Sequence, residues 1–304
     1  MSTSGPSADA PSTTAARRVP FASYVDVTSP HPDLAATRAA TGQGWYILSF
    51  VLADHGKCAP SWGGIRAVGD SKLVKQVRDL RAAGGTVSVA SGGALGAYLE
   101  NTCTDATSLA AAYSTALDAV GSDRLDVDIE QIVQGDVVAD ALTLLLRQRT
   151  VHLTVTVGVL SATDGIDPRT LPLLHTLVDN GTPFTLNAMV FNIGVRDTWQ
   201  ATLLSSADTV AGQFAKLLDT DRGETDRRLA LTLMVGRDDL GAVTTLADAA
   251  VVRDYAVAHG FAALAIWSMP RDNGGCRPDV LAEHCSGVAQ RPFEYTDVLS
   301  GSGT

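Results

Sequence analysis

A single-domain (β/α)8 TIM barrel over residues 19–298 is the fold class this sequence predicts. Three observations point there. Short runs rich in apolar and β-branched residues fall at 19–25, 45–52, 86–90, 125–130, 152–160, 184–191, 229–235 and 261–268. Most are separated by a segment of helical periodicity, the alternation expected of parallel strands joined by crossover helices. The length, 304 residues, suits one barrel of roughly 250 residues with tails. The runs lack clean apolar–polar alternation, as expected of parallel strands covered on both faces. A doubly wound open sheet is the runner-up. No G-x-G-x-x-G follows the first run, so the dinucleotide-binding version of that fold has no support.

The helices have local reasons. Asp70 is placed to cap a helix carrying Leu73, Val77 and Leu80, which Gly84 and Gly85 would end. Asp105 is placed to cap a second, with Leu109, Tyr113, Leu117 and Val120 on one stripe and Gly121 as its stop. Residues 137–149 form a third. Pro168 opens a fourth in its first turn, where a missing N–H costs nothing. Residues 199–218 and 246–258 supply two more.

Lys and Arg total 23 and Asp and Glu 33, a net charge of −10. Such a chain suits neither nucleic acid, whose phosphates need Lys and Arg, nor anionic lipid. No apolar run approaches the roughly 20 residues of a bilayer span. The expected partner is a small-molecule or oligosaccharide substrate, with no nucleic acid and no membrane; oligomeric state stays open. Residues 1–18, rich in Ser, Thr, Ala and Pro, are expected to be a disordered tail, and 299–304 a short C-terminal one. The N-terminus has neither the basic nor the apolar region of a signal peptide. A cytoplasmic protein is therefore the expectation as written, and a secreted one if the chain has been trimmed. Cys58, Cys103, Cys276 and Cys285 form no C-x-x-C pair and no His pair has zinc spacing, so no metal and no cofactor is expected. Two disulfides, Cys58–Cys103 and Cys276–Cys285, and four reduced buried thiols both remain open.

The most specific feature is Asp123-Arg-Leu-Asp126-Val-Asp128-Ile-Glu130. Side chains alternate faces along a strand, so Asp126, Asp128 and Glu130 share one face at roughly 6.6 Å intervals. In a barrel that row points inward, and its last member lies at the C-terminal mouth, where barrel active sites lie. Burial and like charge both raise a carboxyl pKa. One of the three should therefore hold a proton near neutral pH and serve as a general acid. Glu130, nearest the mouth, is the expected donor. Asp128 would share a hydrogen bond with it, and Asp126 would tune Asp128. A solvated acidic strand would not set its charges on one face between Leu125, Val127 and Ile129, and a hard cation needs about six oxygens.

At this motif the sequence resembles glycoside hydrolase family 18, the chitinases and their relatives, whose pattern D-x-x-D-x-D-x-E is matched by Asp123, Asp126, Asp128 and Glu130. Segments around Tyr24, Phe50, Trp62, Met234 to Asp239 and Trp267 resemble the short bacterial members. The resemblance implies a retaining, substrate-assisted hydrolase of N-acetylglucosamine-type glycosidic bonds. In that reaction the substrate's acetamido oxygen attacks the anomeric carbon, so no second catalytic carboxylate is needed. It implies that Glu130 protonates the leaving oxygen and then activates water. Asp128 orients the acetamido group, and Trp267 stacks beneath the sugar. Met189, Phe191, Asn192, Asp239, Trp62 and Gly92 are the further candidates for substrate binding.

The sequence departs from the family pattern in places. The third strand ends Ala90-Ser91-Gly92-Gly93 where the family has S-x-G-G. On the sixth, Met189-Val-Phe191-Asn192-Ile193, Asn192 takes the place of an Asp and the usual neighbouring Tyr is missing; Gln131 follows Glu130 in place of Gly. These changes remove hydrogen bonds aimed at the acetamido group, each worth roughly 10²–10³ in rate. They open two alternatives to a chitinase-like hydrolase. One is a repurposed intracellular barrel performing a cyclisation or other acid/base reaction on a non-sugar metabolite; the other is a non-catalytic glycan-binding module.

Overall fold

The computed structural model describes residues 18–278 and 280–301, so most of the two expected tails lies outside the described residues. The barrel strands are β1 (Phe21–Asp26), β2 (Trp45–Asp54), β3 (Thr86–Gly92), β4 (Arg124–Ile129), β5 (His152–Ser161), β6 (Thr185–Met189), β7 (Leu229–Met234) and β8 (Ala263–Trp267). Each pairs in parallel with the next, and β8 pairs back onto β1 through Phe21 opposite Leu264, which closes the barrel. The expected fold class is what the chain adopts. Lys57–Trp62 returns antiparallel along β2, an excursion the strand pattern did not anticipate.

Around the barrel lie α1 (Leu34–Thr41), α2 (Ser71–Ala82), α3 (Leu99–Thr102), α4 (Ala106–Val120), α5 (Gly135–Gln148), α6 (Leu171–Asp179), α7 (Trp199–Leu218), α8 (Arg222–Asp226), α9 (Leu246–His259) and α10 (Glu294–Ser300). Asp70 and Asp105 cap α2 and α4 as expected, accepting from the amides of Leu73 and Ser108. Pro168 does not open a helix. It sits in a turn closed by Asp167, whose carbonyl accepts the Thr170 amide and whose carboxylate accepts that of Arg169. The helix starts at Leu171, with Pro172 in its first turn. α10 carries the fold past residue 298, because Leu299 is buried against the core.

The main core lies between strands and helices, where outward residues such as Val89, Val127 and Val155 meet Leu109, Val138 and Leu142. The barrel interior is a separate, smaller cluster of Ala22, Tyr24, Ile47, Ala90 and Ala265, bordered by Trp45, Phe50 and Trp267. The three alanines of this cluster leave space at both ends. A cleft of about 640 Å3 opens among the loops after the strands, and a cavity of about 630 Å3 lies at the strand beginnings, beside Ser88, Arg124 and Asp126. Both cysteine pairs are disulfides, Cys58–Cys103 and Cys276–Cys285. Among the described residues no helix is long and apolar enough to cross a membrane.

Candidate active site

The acidic row keeps the register its spacing implies. On β4, Asp126 lies opposite Ala90 of β3 and Thr154 of β5, and Asp128 opposite Gly92 and Thr156. The small neighbours on β3 leave room for inward carboxyls. Asp126 is buried and accepts hydrogen bonds from the hydroxyls of Tyr24 and Thr156, both at 2.6 Å. The Asn187 amide extends this layer, donating to Thr156 at 3.0 Å and Thr232 at 2.8 Å. Burial pushes the Asp126 carboxyl up, and its two hydroxyl partners pull it part of the way back.

Asp128 is buried, and its Oδ1 has no hydrogen-bond partner. Burial raises its pKa well above the carboxylate range, and the nearby Glu130 and Asp126 raise it further. The expected hydrogen bond between Asp128 and Glu130 is not made among the described residues. The rungs of a strand are roughly 6.6 Å apart, too far for adjacent carboxyls to touch unless one swings along the row. Asp126 is not free to swing, since Tyr24 and Thr156 hold both its oxygens.

Glu130 follows the last residue of β4 and forms part of the cleft wall. Its pKa is pushed up to about 6, first by burial and then by the charge of Asp239, with Arg169 opposing. The cleft floor is aromatic: the rings of Trp267 and Phe50 stack with centroids 5.7 Å apart, and Tyr24 lies 5.9 Å from Trp267. Phe191, Asn192, Met234 and Asp239 line the same cleft, with Asp26 and Glu283.

The structure thus brings Glu130, Trp267, Phe191, Asn192 and Asp239 to one cleft with Asp128 and Asp126 beneath. Asn192 is in the left-handed region, φ 55°, and is tied to the loop after β7. Its side-chain amide donates to Asp239 Oδ2 at 2.6 Å, its Oδ1 accepts the Asp239 N–H at 2.9 Å, and its own N–H goes to Asp238. Ile193 is buried in the main core. Met189, at the end of β6, is nearly buried and does not line the cleft. Trp62 is no stacking platform. It is fully buried in the main core, donating its indole N–H to the Val68 carbonyl, because Lys57–Trp62 folds back on β2. Gly92 is likewise not part of the cleft wall. A Cβ there would collide with the Asp128 carbonyl, so the glycine serves the approach of β3 to β4.

Sequence reasoning assigned no role to Thr156, Asn187, Phe50 and Tyr98. Period-two counting from Met189 would have placed Asn187 on the same face of β6, whereas Thr156 is on β5, to which the alternation of β4 does not carry. Phe50 could not be found that way, since the pairing of β2 with β3 slips between Leu48 and Val51. Cys276, His284 and Cys285 bring donor atoms within 4.8 Å of one another, a grouping the spacing did not suggest, and the disulfide occupies both sulfurs.

Comparison with known proteins finds chitinases and chitinase-related proteins similar to this chain. No protein-family model matches the chain. It is 29% identical over 283 residues to the probable bifunctional chitinase/lysozyme of Escherichia coli K12, a match covering 84% of this chain and 31% of that protein. The catalytic domain of a hyperthermophilic chitinase from Pyrococcus furiosus superposes with a TM-score of 0.84 at 27% identity, covering 93% of this chain and 95% of that one. A catalytic-site mutant of active domain 2 of a Pyrococcus furiosus chitinase, complexed with chito-oligosaccharides, matches with a TM-score of 0.84 at 26% identity, covering 95% and 98%. The xylanase and α-amylase inhibitor protein of Scadoxus multiflorus shares the fold, with a TM-score of 0.61 at 15% identity, covering 94% and 99%. The resemblance to family 18 chitinases stated from the acidic motif is borne out.

Proposed function

We propose that the protein is a retaining glycoside hydrolase that cleaves N-acetylglucosamine-type glycosidic bonds in oligosaccharides, with Glu130 as acid/base. The observation that carries this reading is the inward row Asp126, Asp128 and Glu130, whose last member forms the wall of an aromatic-floored cleft. A carboxyl whose pKa is raised to about 6 holds its proton at mildly acidic pH and can deliver it to a leaving oxygen. In the reaction, Glu130 protonates that oxygen while the substrate's acetamido oxygen attacks the anomeric carbon. The unpartnered Oδ1 of Asp128 is the acceptor suited to the acetamido N–H. Glu130, now ionised, takes a proton from the water that opens the cyclic intermediate and returns to its starting state. Trp267 supports the sugar ring from below. The tie between Asn192 and Asp239 supports a weakened grip on the acetamido group. Two disulfides favour an oxidising compartment, hence a secreted protein.

Incubation with chitin oligosaccharides and aryl chitobiosides, beside Glu130→Gln, tests the reading. Turnover by the parent that falls about 10²–10⁴-fold in the variant, with the folding midpoint kept, is the expected result. Equal turnover by both would remove Glu130 from the chemistry, and binding without turnover by either would leave a glycan-binding protein.

A further inference from the structure

We infer that Tyr98 is a positioning residue that fixes the backbone of Glu130, and through it the aim of the acid group; this rests on the glycosidase reading above. Ladder pairing of β4 with β5 ends at Ile129, opposite Val157, so Glu130 is the first residue to leave the sheet. Its N–H does not find a strand carbonyl. It donates instead to the Tyr98 hydroxyl at 3.1 Å. That hydroxyl gives its own proton to the carbonyls of Gly93 and Asp128, the latter at 3.2 Å, and the Asp128 carbonyl also accepts the Gly93 N–H at 3.0 Å. One phenol oxygen therefore replaces the β-ladder at the point where the chain turns from strand into active-site loop. A hydroxyl suits this place because its single oxygen can accept the Glu130 N–H and donate to a neighbouring carbonyl at once.

The tyrosine is itself held in place. It is fully buried at the start of α3, a helix of four residues, too short to be stable alone. Glu100 on that helix is buried and accepts the hydroxyls of Ser91 and Tyr113, both at 2.7 Å. Cys103, at the helix end, is bonded to Cys58. The charged groups facing the phenol are the acids Asp128, Glu130 and Glu100, with Arg169 also in electrostatic reach. Burial and these acids keep it protonated, so it remains a donor throughout the working pH range.

Tyr98→Phe keeps the ring and strips the Glu130 N–H of its acceptor. A misplacement of about 1 Å in a catalytic group can cost about 10²-fold in rate. The expected result is a kcat lowered about 10- to 100-fold with KM within about twofold, and a displaced basic limb of the pH–rate profile. Hydrogen exchange at the Glu130 amide, followed by NMR, should accelerate at least about tenfold. Tyr46→Phe is the matched control: it removes another buried hydroxyl, one that donates to the Gln43 carbonyl just before β2, and is expected to lower the folding midpoint without these changes. Equal rates and equal Glu130 exchange in the parent and Tyr98→Phe would overturn the assignment, as would the same kinetic loss in both variants. A parent inert on every chitin oligosaccharide would sink the glycosidase reading alone; the exchange experiment, which needs no turnover, would still decide whether Tyr98 holds Glu130.

Discussion

Glu130 owes its raised pKa to two separable causes, and the separation can be measured. Burial is the larger and Asp239 the second. The protonated form donates, so kcat/KM should fall on the alkaline side with a midpoint near pH 6. A neighbouring anion makes ionisation harder and holds the pKa up. Asp239→Asn removes that anion, so Glu130 should lose its proton at lower pH and the alkaline limb should move towards acid. Burial remains, so the limb should stay above the range of an exposed glutamate. Asn in place of Asp239 still offers an oxygen to the Asn192 amide, which limits collateral movement of the loop. Paired pH–rate profiles of parent and variant check the direction. A limb that stayed put, or moved towards alkali, would mean that Asp239 does not act on Glu130.

At the scale of elements, the inward carboxyls exist because β3 offers only small residues beside them. Gly92 is the tightest of these contacts, with φ 97°, and a Cβ there would strike the Asp128 carbonyl and press on the Tyr98 ring. Gly92→Ala should cost about 1–3 kcal/mol by overpacking, with backbone strain in addition, and should lower kcat because the displaced carbonyl belongs to an acidic rung. Thermal unfolding and aryl-chitobioside kinetics read the two effects; a variant unchanged in both would mean that β3 and β4 are not this close. The β4 row was legible in the sequence because strand periodicity turns spacing directly into facing. Trp62 was not, since it ends a return strand, Lys57–Trp62, of which only the last two side chains are buried. Phe50 was hidden by a slip in register within β2. Asn192 was placed at the cleft by the family resemblance, but its bonds to Asp239 depend on a left-handed backbone and a loop 47 residues away, which no local pattern encodes. Tyr98 lay outside every strand and long helix, so neither period applied to it.

For the whole molecule, the open matter in the sequence was how four cysteines are used, and the fold shows what each pairing constrains. Cys58–Cys103, 45 residues apart, ties the strand returning along β2 to the end of α3, joining two excursions at the mouth of the barrel. Cys276–Cys285, only 9 apart, closes the segment after β8. That segment is already held by buried Arg271, whose guanidinium donates to the carbonyls of Val235, Arg237 and Ala282. A cross-link that closes a longer loop removes more entropy from the unfolded chain, so the first pair should stabilise by about 4 kcal/mol and the second by less. At about 2–4 °C per kcal/mol, replacing Cys58 and Cys103 together by serine should lower the folding midpoint by roughly 8–16 °C. Replacing Cys276 and Cys285 should lower it less, because arginine contacts remain. The two losses should also differ in kind. Freeing α3 loosens the support of Tyr98, so the first double variant should lose kcat before it loses its fold, whereas the second should keep its rate up to its own midpoint. Thermal unfolding with and without reductant, read beside activity at a temperature below both midpoints, separates the two. Midpoints insensitive to reductant in the parent would mean that the thiols are unpaired and that an oxidising compartment has no support from this chain.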